Sequence, residues 1–303
     1  MPWYAWVIIA IVLILIGGGL YVVQKISRPN RRSFLESSAI EENCLPGIMK
    51  FYTDNLTEQY TVKTRDGLNL KVYYFKNNND SNKYCVMSHG HTYNHHGCLK
   101  YARMMMKHGY NVVLYDQRYH GNSEGKFTTL GFKEKFDLYD IITDTFNKYG
   151  NDIYLGTYGE SMGSATVLLE SEIDSRLKFV ISDCGFANFG IQVNEVLNKI
   201  KWFPRFPFMY IGSFMFKLIS GSTFNGISPI KAIKEVKVPI LFCHGIDDNY
   251  INYHHAEDLY NSYLGPKELF LANNNSLHAE SYIKDTENYE KAVANFIDKY
   301  LEK

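Results

Sequence analysis

The pattern Gly-x-Ser-x-Gly occurs twice, as Gly121-Asn122-Ser123-Glu124-Gly125 and as Gly159-Glu160-Ser161-Met162-Gly163. A serine flanked by glycines suits a tight turn from strand to helix, which lifts the hydroxyl clear of the backbone so that it can attack a carbonyl carbon. With Gly at ~7% of residues, chance yields such a pattern in roughly one chain of this length in ten. Context must therefore choose between the two. Apolar residues 153–158 precede Ser161, and Gly163, Ser164, Ala165 and an apolar helical stretch follow it. Ser123 follows the polar Gln117-Arg118-Tyr119-His120 and precedes Lys126-Phe127-Thr128-Thr129, which has no helical pattern. Ser161 is the expected nucleophile, and Ser123 is expected in a structural turn.

A serine hydroxyl is a weak nucleophile. It needs a base, and the base needs an acid to orient it. For a serine on such a turn the chain order is serine, acid, histidine. The histidines after Ser161 are His244, His254, His255 and His278. His278 stands in a loop between the last strand-like run, 268–271, and the closing helix-like segment, so it is the expected base. His244, directly at a strand end, is expected to be structural. His254 and His255, near a helix start, are expected to face solvent. The acid should follow the run 238–243, where Asp247 and Asp248 offer adjacent carboxylates. Asp183, at an earlier strand end, is an outside candidate.

Attack builds negative charge on the substrate oxygen, which preorganised N–H groups stabilise. One donor is expected to be the backbone N–H of Met162, directly after the nucleophile. The other should come from the loop Ser88-His89-Gly90-His91-Thr92-Tyr93, where Gly90 permits a tight turn and His91 supplies the N–H. The dense histidines here, His89, His91, His95 and His96, raise the question of a metal. A catalytic site wants about three converging ligands and an open position. Tyr93 and Asn94 stand where the remaining ligands of such a cluster would fall. No metal and no cofactor are expected. His89 is expected to brace the loop, with His95 and His96 facing solvent.

These groups need elements to hold them. Residues 58–64 and 68–75, joined through Asp66-Gly67, read as a hairpin. Short apolar runs at 84–88, 110–116, 152–158, 178–182, 238–243 and 268–271 read as strands. Segments 98–108, 133–149, 161–171 and 285–301 read as helices. This alternation predicts an α/β fold with a mostly parallel sheet covered by helices on both faces. Sites in such sheets lie beyond the carboxyl ends of the strands, where each motif above falls.

The chain has 303 residues and a formal net charge of zero. Nothing in this balance fits a nucleic-acid partner. Five cysteines without paired spacing read as free thiols in a reducing compartment. Residues 1–23 carry no charged side chain, and residues 5–23 are almost wholly apolar. About 20 such residues span a bilayer core as a helix. A cleaved signal peptide would want a basic start, a shorter apolar run and a small-residue cleavage site. The reading is an uncleaved single-pass anchor at 1–23. Lys25, Arg28, Arg31 and Arg32 follow it, which places the rest of the chain in the cytoplasm, at the cell membrane. Residues 24–56 read as a linker with short helices, and 57–303 as the catalytic domain.

Together, Ser88-His-Gly-His91, Asp116-x-Arg118-x-x-Gly121-x-Ser123, Gly159-Glu-Ser-Met-Gly163, Cys243-His-Gly-Ile-Asp-Asp248-x-x-Ile251 and His278-Ala-Glu-Ser-Tyr282 resemble the α/β-hydrolase superfamily. The chain is most similar to membrane-anchored bacterial serine hydrolases of Gram-positive organisms, which are grouped with serine aminopeptidase-like (S33-type) and cinnamoyl-esterase-like enzymes. The resemblance covers roughly residues 50–300. It implies that Asp248, four residues after the His of His-Gly, is the acid, leaving Asp247 to stabilise the loop. It also implies a helical cap at about 187–233. There Trp202, Phe203, Phe206, Phe208, Tyr210, Phe214 and Phe216 either pack the cap, line an acyl pocket or touch the bilayer. His91 departs from the family, which often has an apolar residue in its place. The implied activity is ester hydrolysis through an acyl-Ser161 intermediate on a small-molecule substrate with an apolar group. Peptidase, amidase or thioesterase chemistry on the same triad, and a non-catalytic binding module, are the competing readings.

Overall fold

Strands separated by amphipathic helices can bury both faces of one sheet, and the computed structural model of the chain, which describes residues 1–77, 81–200 and 205–301, is built in this way. The chain opens with helices α1 (Trp3–Ser27), α2 (Phe34–Cys44) and α3 (Ile48–Asn55). Strands β1 (Leu56–Lys63), β2 (Asn69–Phe75) and β3 (Lys83–Ser88) follow, then α4 (Leu99–Lys107), β4 (Asn111–Tyr115), α5 (Glu134–Tyr149), β5 (Tyr154–Glu160), α6 (Met162–Glu170) and β6 (Val180–Asp183). Next come α7 (Phe189–Lys199), α8 (Arg205–Ser220) and α9 (Pro229–Ala232). The chain closes with β7 (Ile240–Gly245), α10 (His254–Ser262), β8 (Lys267–Ala272), α11 (Ser281–Lys284) and α12 (Thr286–Tyr300).

The sheet order is β1-β2-β4-β3-β5-β6-β7-β8. The β1–β2 hairpin is antiparallel and joins β4 antiparallel, and every later neighbour pairs parallel. The central strands are almost wholly buried because both their faces are covered. One face packs against α3, α4 and α12 through residues such as Met87, Leu114, Tyr101 and Phe296. The other packs against α5, α6 and α10 through Val86, Val113, Leu138, Val167 and Leu259. Register aligns the carboxyl ends: Ser88 sits beside Gly159, Glu160 beside Asp183, and Asp183 beside Cys243.

A third apolar cluster lies above this rim. It joins Val22 and Val23 of α1 to Met162, Phe189, Val193, Leu197, Phe216 and Phe224. Helix α1 has a mean hydropathy of 2.7 over its most apolar window and is long and apolar enough to cross a membrane. Its buried residues, Gly19, Val22, Val23 and Ser27, all lie toward its carboxyl end, where α8 packs on it. Trp202, Phe203 and Pro204 of the expected cap lie outside the described residues.

Candidate active site

Strand β5 ends at Glu160 and α6 begins at Met162, so Ser161 is the whole turn. Its backbone sits at φ 57° and ψ −114°, a left-handed φ that a non-glycine residue rarely adopts. The turn is held by the Ser161 N–H donating to the Asp183 carbonyl at 2.9 Å. Close packing explains the flanking glycines: a Cβ on Gly159 would strike the Gly163 carbonyl, and one on Gly163 would strike that of Ser88.

The Ser161 Oγ lies 2.9 Å from Nε2 of His278, and Nδ1 of His278 lies 2.7 Å from Oδ2 of Asp248. A carboxylate only accepts, so the ring proton belongs on Nδ1. Nε2 is then free to accept from the serine hydroxyl. The Asp248 Oδ1 accepts from the backbone N–H groups of Tyr250 and Ile251, at 2.8 and 2.9 Å. Burial raises the Asp248 pKa, but the hydrogen bonds and charges of His244 and His278 outweigh it and hold the carboxyl well below its usual range. His244 Nε2 reaches both Asp248 Oδ2, at 3.1 Å, and the Ile251 carbonyl, at 2.9 Å. Its structural place is therefore on the Asp248 carboxylate. Asp247 is exposed. Asp183 is buried away from His278, accepting from the hydroxyls of Tyr101, Tyr289 and Ser281.

The loop after β3 lies against Ser161: a Cβ on Gly90 would sit 3.6 Å from that of Ser161. His89 braces it, donating from Nδ1 to the Gly90 carbonyl and accepting the Gln117 N–H on Nε2. Among the described residues, neither the His91 nor the Met162 N–H has a backbone acceptor. The His91 ring instead reaches the Ile26 carbonyl of α1, at 3.0 Å.

Three histidines differ from expectation. His95 and His96 are buried, not solvent-facing. His95 donates to Asp116 at 2.9 Å and stacks on Tyr73, while Nδ1 of His96 meets the Ser37 and Ser38 hydroxyls. Burial pushes the His96 pKa down to about 3. The cause is α2 and α3, which fold over this face. His255 is buried too: Nδ1 accepts the Ala187 N–H, and Nε2 faces Glu195 of α7 at 3.4 Å. His254 is exposed and pairs with Glu257. Ser123 sits in a turn beside β2 and β4, donating to the Asp116 carbonyl and accepting from the Lys71 N–H. Among the described residues no three His, Cys, Asp or Glu side chains cluster as metal ligands would.

One buried group went unnoticed in the sequence. Glu160 pairs with Lys100 at 2.6 Å and accepts from Tyr101, while Glu41 of α2 accepts from Tyr93 nearby. The only sequence signal was a charged residue inside the Gly-Glu-Ser-Met-Gly turn. Ser161 stands between two cavities. One, of about 350 Å3, is mainly apolar and is walled by Tyr21, Val22, Phe189, Val193, Leu197 and Ile251, among others. The other, of about 510 Å3, is more polar and reaches Arg32, Glu41, Lys100, Glu160, Glu280 and Lys284. The arrangement has what acyl transfer requires: a hydroxyl on a base, an oriented base, nearby N–H donors and room on both sides of the reacting carbon.

Comparison with known proteins agrees with this fold. Residues 52–192 match the family model for X-Pro dipeptidyl-peptidase (S15 family). The uncharacterized protein YqkD of Bacillus subtilis is 36% identical over 241 residues, 79% of this chain and 78% of its own length. The Pyrococcus furiosus esterase Pf2001 superposes with a TM-score of 0.67 at 19% identity, covering 83% of this chain and 95% of that one. The Pyrococcus horikoshii acylaminoacyl peptidase superposes with a TM-score of 0.61 at 17% identity, covering 86% of this chain and 44% of that one. With its serine on a strand-to-helix turn and its matches to S15 and YqkD, the chain belongs to the α/β-hydrolase superfamily, in one family with YqkD, and is a hydrolase.

Proposed function

We propose that the chain is a serine hydrolase that cleaves carboxylic esters through an acyl-Ser161 intermediate. In this reading Ser161 attacks the carbonyl carbon while Nε2 of His278 takes the hydroxyl proton. Asp248 holds the imidazole and stabilises the imidazolium. The N–H groups of His91 and Met162 receive the oxyanion. His278 returns the proton to the leaving alcohol, and water then repeats the sequence to release the acid. The observation that carries the reading is the continuous Ser161–His278–Asp248 contact at 2.9 and 2.7 Å, opening on a mainly apolar cavity. That lining favours a small-molecule ester with an apolar acyl group.

The same triad would serve an amide, and the matched family's description as a peptidase supports that second reading. Labelling with a fluorophosphonate, repeated on Ser161→Ala, tests the nucleophile: a full-length protein that never reacts, or that reacts equally after substitution, removes the proposal. A panel of p-nitrophenyl esters of increasing chain length against aminoacyl amides separates esterase from peptidase.

The proposed organisation is an anchor at 1–23, a connecting segment at 24–56 and a catalytic domain at 57–303 with a cap at about 187–233. The hydropathy of α1 and the basic residues directly after it support a single membrane crossing with the catalytic domain in the cytoplasm. Protease protection in intact cells tests the orientation; digestion of the domain from outside reverses it.

A further inference from the structure

Among the described residues, helix α8 carries an exposed apolar stripe. Phe206, just before its regular turns, and Tyr210, Phe214 and Leu218 recur every fourth residue and are 77%, 70%, 60% and 71% exposed. That spacing puts Tyr210, Phe214 and Leu218 on one face of the helix. The opposite face of α8 packs on α1: Phe208 lies against Gly18, Ile211 and Met215 against Gly19, and Gly212 against Val22. The charged residues of α8 are Arg205 and Lys217, both basic.

Depth relates the stripe to the proposed anchor. Gly18 and Gly19 stand seven and six residues before Lys25, the first charge after the apolar run. At 1.5 Å per residue this is about 10 Å along the helix axis. An interfacial helix buries its apolar face ~5–10 Å into the headgroup and acyl boundary. If α1 crosses the bilayer, α8 lies at that depth, with an apolar face outward and basic ends. The exposed surface of α1 is apolar too, through Ile14, Leu20 and Tyr21.

The apolar cavity beside Ser161 starts at the same level. Tyr21, Val22, Lys25 and Ile26, the last turns of α1, form one wall of it, and α7 forms another. A soluble enzyme would build such a wall from its own core. Here the proposed membrane anchor supplies it. On the far side of Ser161 the second cavity is more polar, with charges of both signs.

We infer that α8 lies in the membrane interface beside α1, and that the substrate is an amphiphilic acyl ester drawn from the bilayer, its chain passing beside α1 to Ser161 and its polar group occupying the second cavity. The inference rests on the esterase reading and on α1 as the anchor, and it adds the source and class of the substrate.

The test uses the full-length protein in vesicles of phosphatidylcholine with an anionic lipid. For spectroscopy alone, Cys44→Ser removes the exposed thiol, and Tyr210→Cys, Phe214→Cys, Leu218→Cys or Leu264→Cys receives an environment-sensitive fluorophore. Leu264 is exposed at the amino end of β8, away from the site. Labels on the α8 stripe are expected to be quenched about twofold or more by shallow doxyl-labelled phosphatidylcholine, as interfacial depth requires, while the label at 264 is not. Stripe labels quenched no more than the control overturn the inference, as does crosslinking of the stripe between two copies in place of quenching. In the native-cysteine background, the triple variant Tyr210→Asp, Phe214→Asp, Leu218→Asp is expected to hydrolyse vesicle-borne monoacylglycerol about tenfold more slowly, with p-nitrophenyl butyrate hydrolysis and fluorophosphonate labelling held within about twofold. Equal loss on both substrates, or on neither, overturns the inference. If the triple variant fails to label, the quenching result decides alone. If the unsubstituted protein neither labels nor cleaves p-nitrophenyl butyrate, the esterase reading falls, and quenching still decides where α8 lies.

Discussion

The His91 ring lies 3.0 Å from the carbonyl of Ile26, so the loop carrying a proposed oxyanion donor is fastened to the last turn of α1. A carbonyl only accepts, so the proton sits on Nε2. Burial lowers the pKa of His91, which keeps the ring neutral near pH 7. His91→Ala retains the backbone N–H and loses the tether. One net hydrogen bond is worth ~1 kcal/mol, so kcat/KM on a medium-chain ester is expected to fall about five- to tenfold while Ser161 still labels. Steady-state kinetics on the membrane-reconstituted protein checks this; an unchanged kcat/KM would show that the tether does not hold the loop.

The proposed acid can be tested at two distances. Asp248→Asn should reduce kcat about 10^4-fold with the fold retained, because the amide no longer enforces the correct ring tautomer. His244 touches Asp248, is fully buried and lines neither cavity, so in the proposed mechanism it positions. His244→Ala is expected to lower kcat about 10- to 100-fold with little change in KM, the pattern of a group that acts only on the chemical step. A change confined to KM would argue against that role.

The cavity wall predicts chain-length selectivity. Val193 of α7 lines the apolar cavity close to α1. Val193→Trp fills that space and is expected to lower kcat/KM for a long-chain p-nitrophenyl ester about tenfold or more, leaving the acetate ester within about threefold. A uniform loss across chain lengths would place the acyl chain elsewhere.

Two buried carboxylates should act oppositely on stability as pH changes. Burial and the charge of Glu160 push the Asp183 pKa up to about 6, against the hydroxyls of Tyr101 and Tyr289. The folded state then binds more protons than the unfolded chain between roughly pH 4 and 6, so this group removes up to about 3 kcal/mol as pH rises through that window. Asp183→Asn is expected to flatten that part of the profile in denaturant titrations. Asp248, held below its usual range, contributes stability above the unfolded value and loses it as pH falls through its folded pKa. Asp248→Asn should therefore make the protein less sensitive to acid.

Gly159 and Gly163 are required for packing. Because an added Cβ would meet backbone carbonyls, which cannot swing away, Gly163→Ala is expected to cost about 3 kcal/mol or more, read as a lower denaturation midpoint. Gly121→Ala, where a Cβ would meet the Asp116 carboxylate in a positive-φ turn, should destabilise as well without touching Ser161.

Much of this molecule was legible in one dimension. The hairpin, the six following strands and the main helices lie close to where apolar runs and helical spacing put them, because these signals are local. Ser161 and His278 were readable because the turn after β5 and the loop after β8 each follow a strand directly. The choice between Asp247 and Asp248 was not readable from the two residues, since both follow β7. Resemblance favoured Asp248, and in the structure Asp248 faces His278 while Asp247 is exposed. His95, His96 and His255 are buried, against the solvent-facing expectation, because the helices that cover them, α2, α3 and α7, are distant in sequence.

Local pattern sets the order of strand, turn and helix, the small residues that permit the Ser161 turn, and an apolar N-terminal helix. Each of these depends on neighbours a few positions apart. Folding in three dimensions sets the meeting of Glu160 with Lys100 near Glu41, the support of Asp248 by His244, and the wall that the end of α1 gives the cavity beside Ser161. Those contacts join segments that packing alone brings together. Their partners and their burial are properties of the assembled sheet and its covering helices, and no local pattern encodes them.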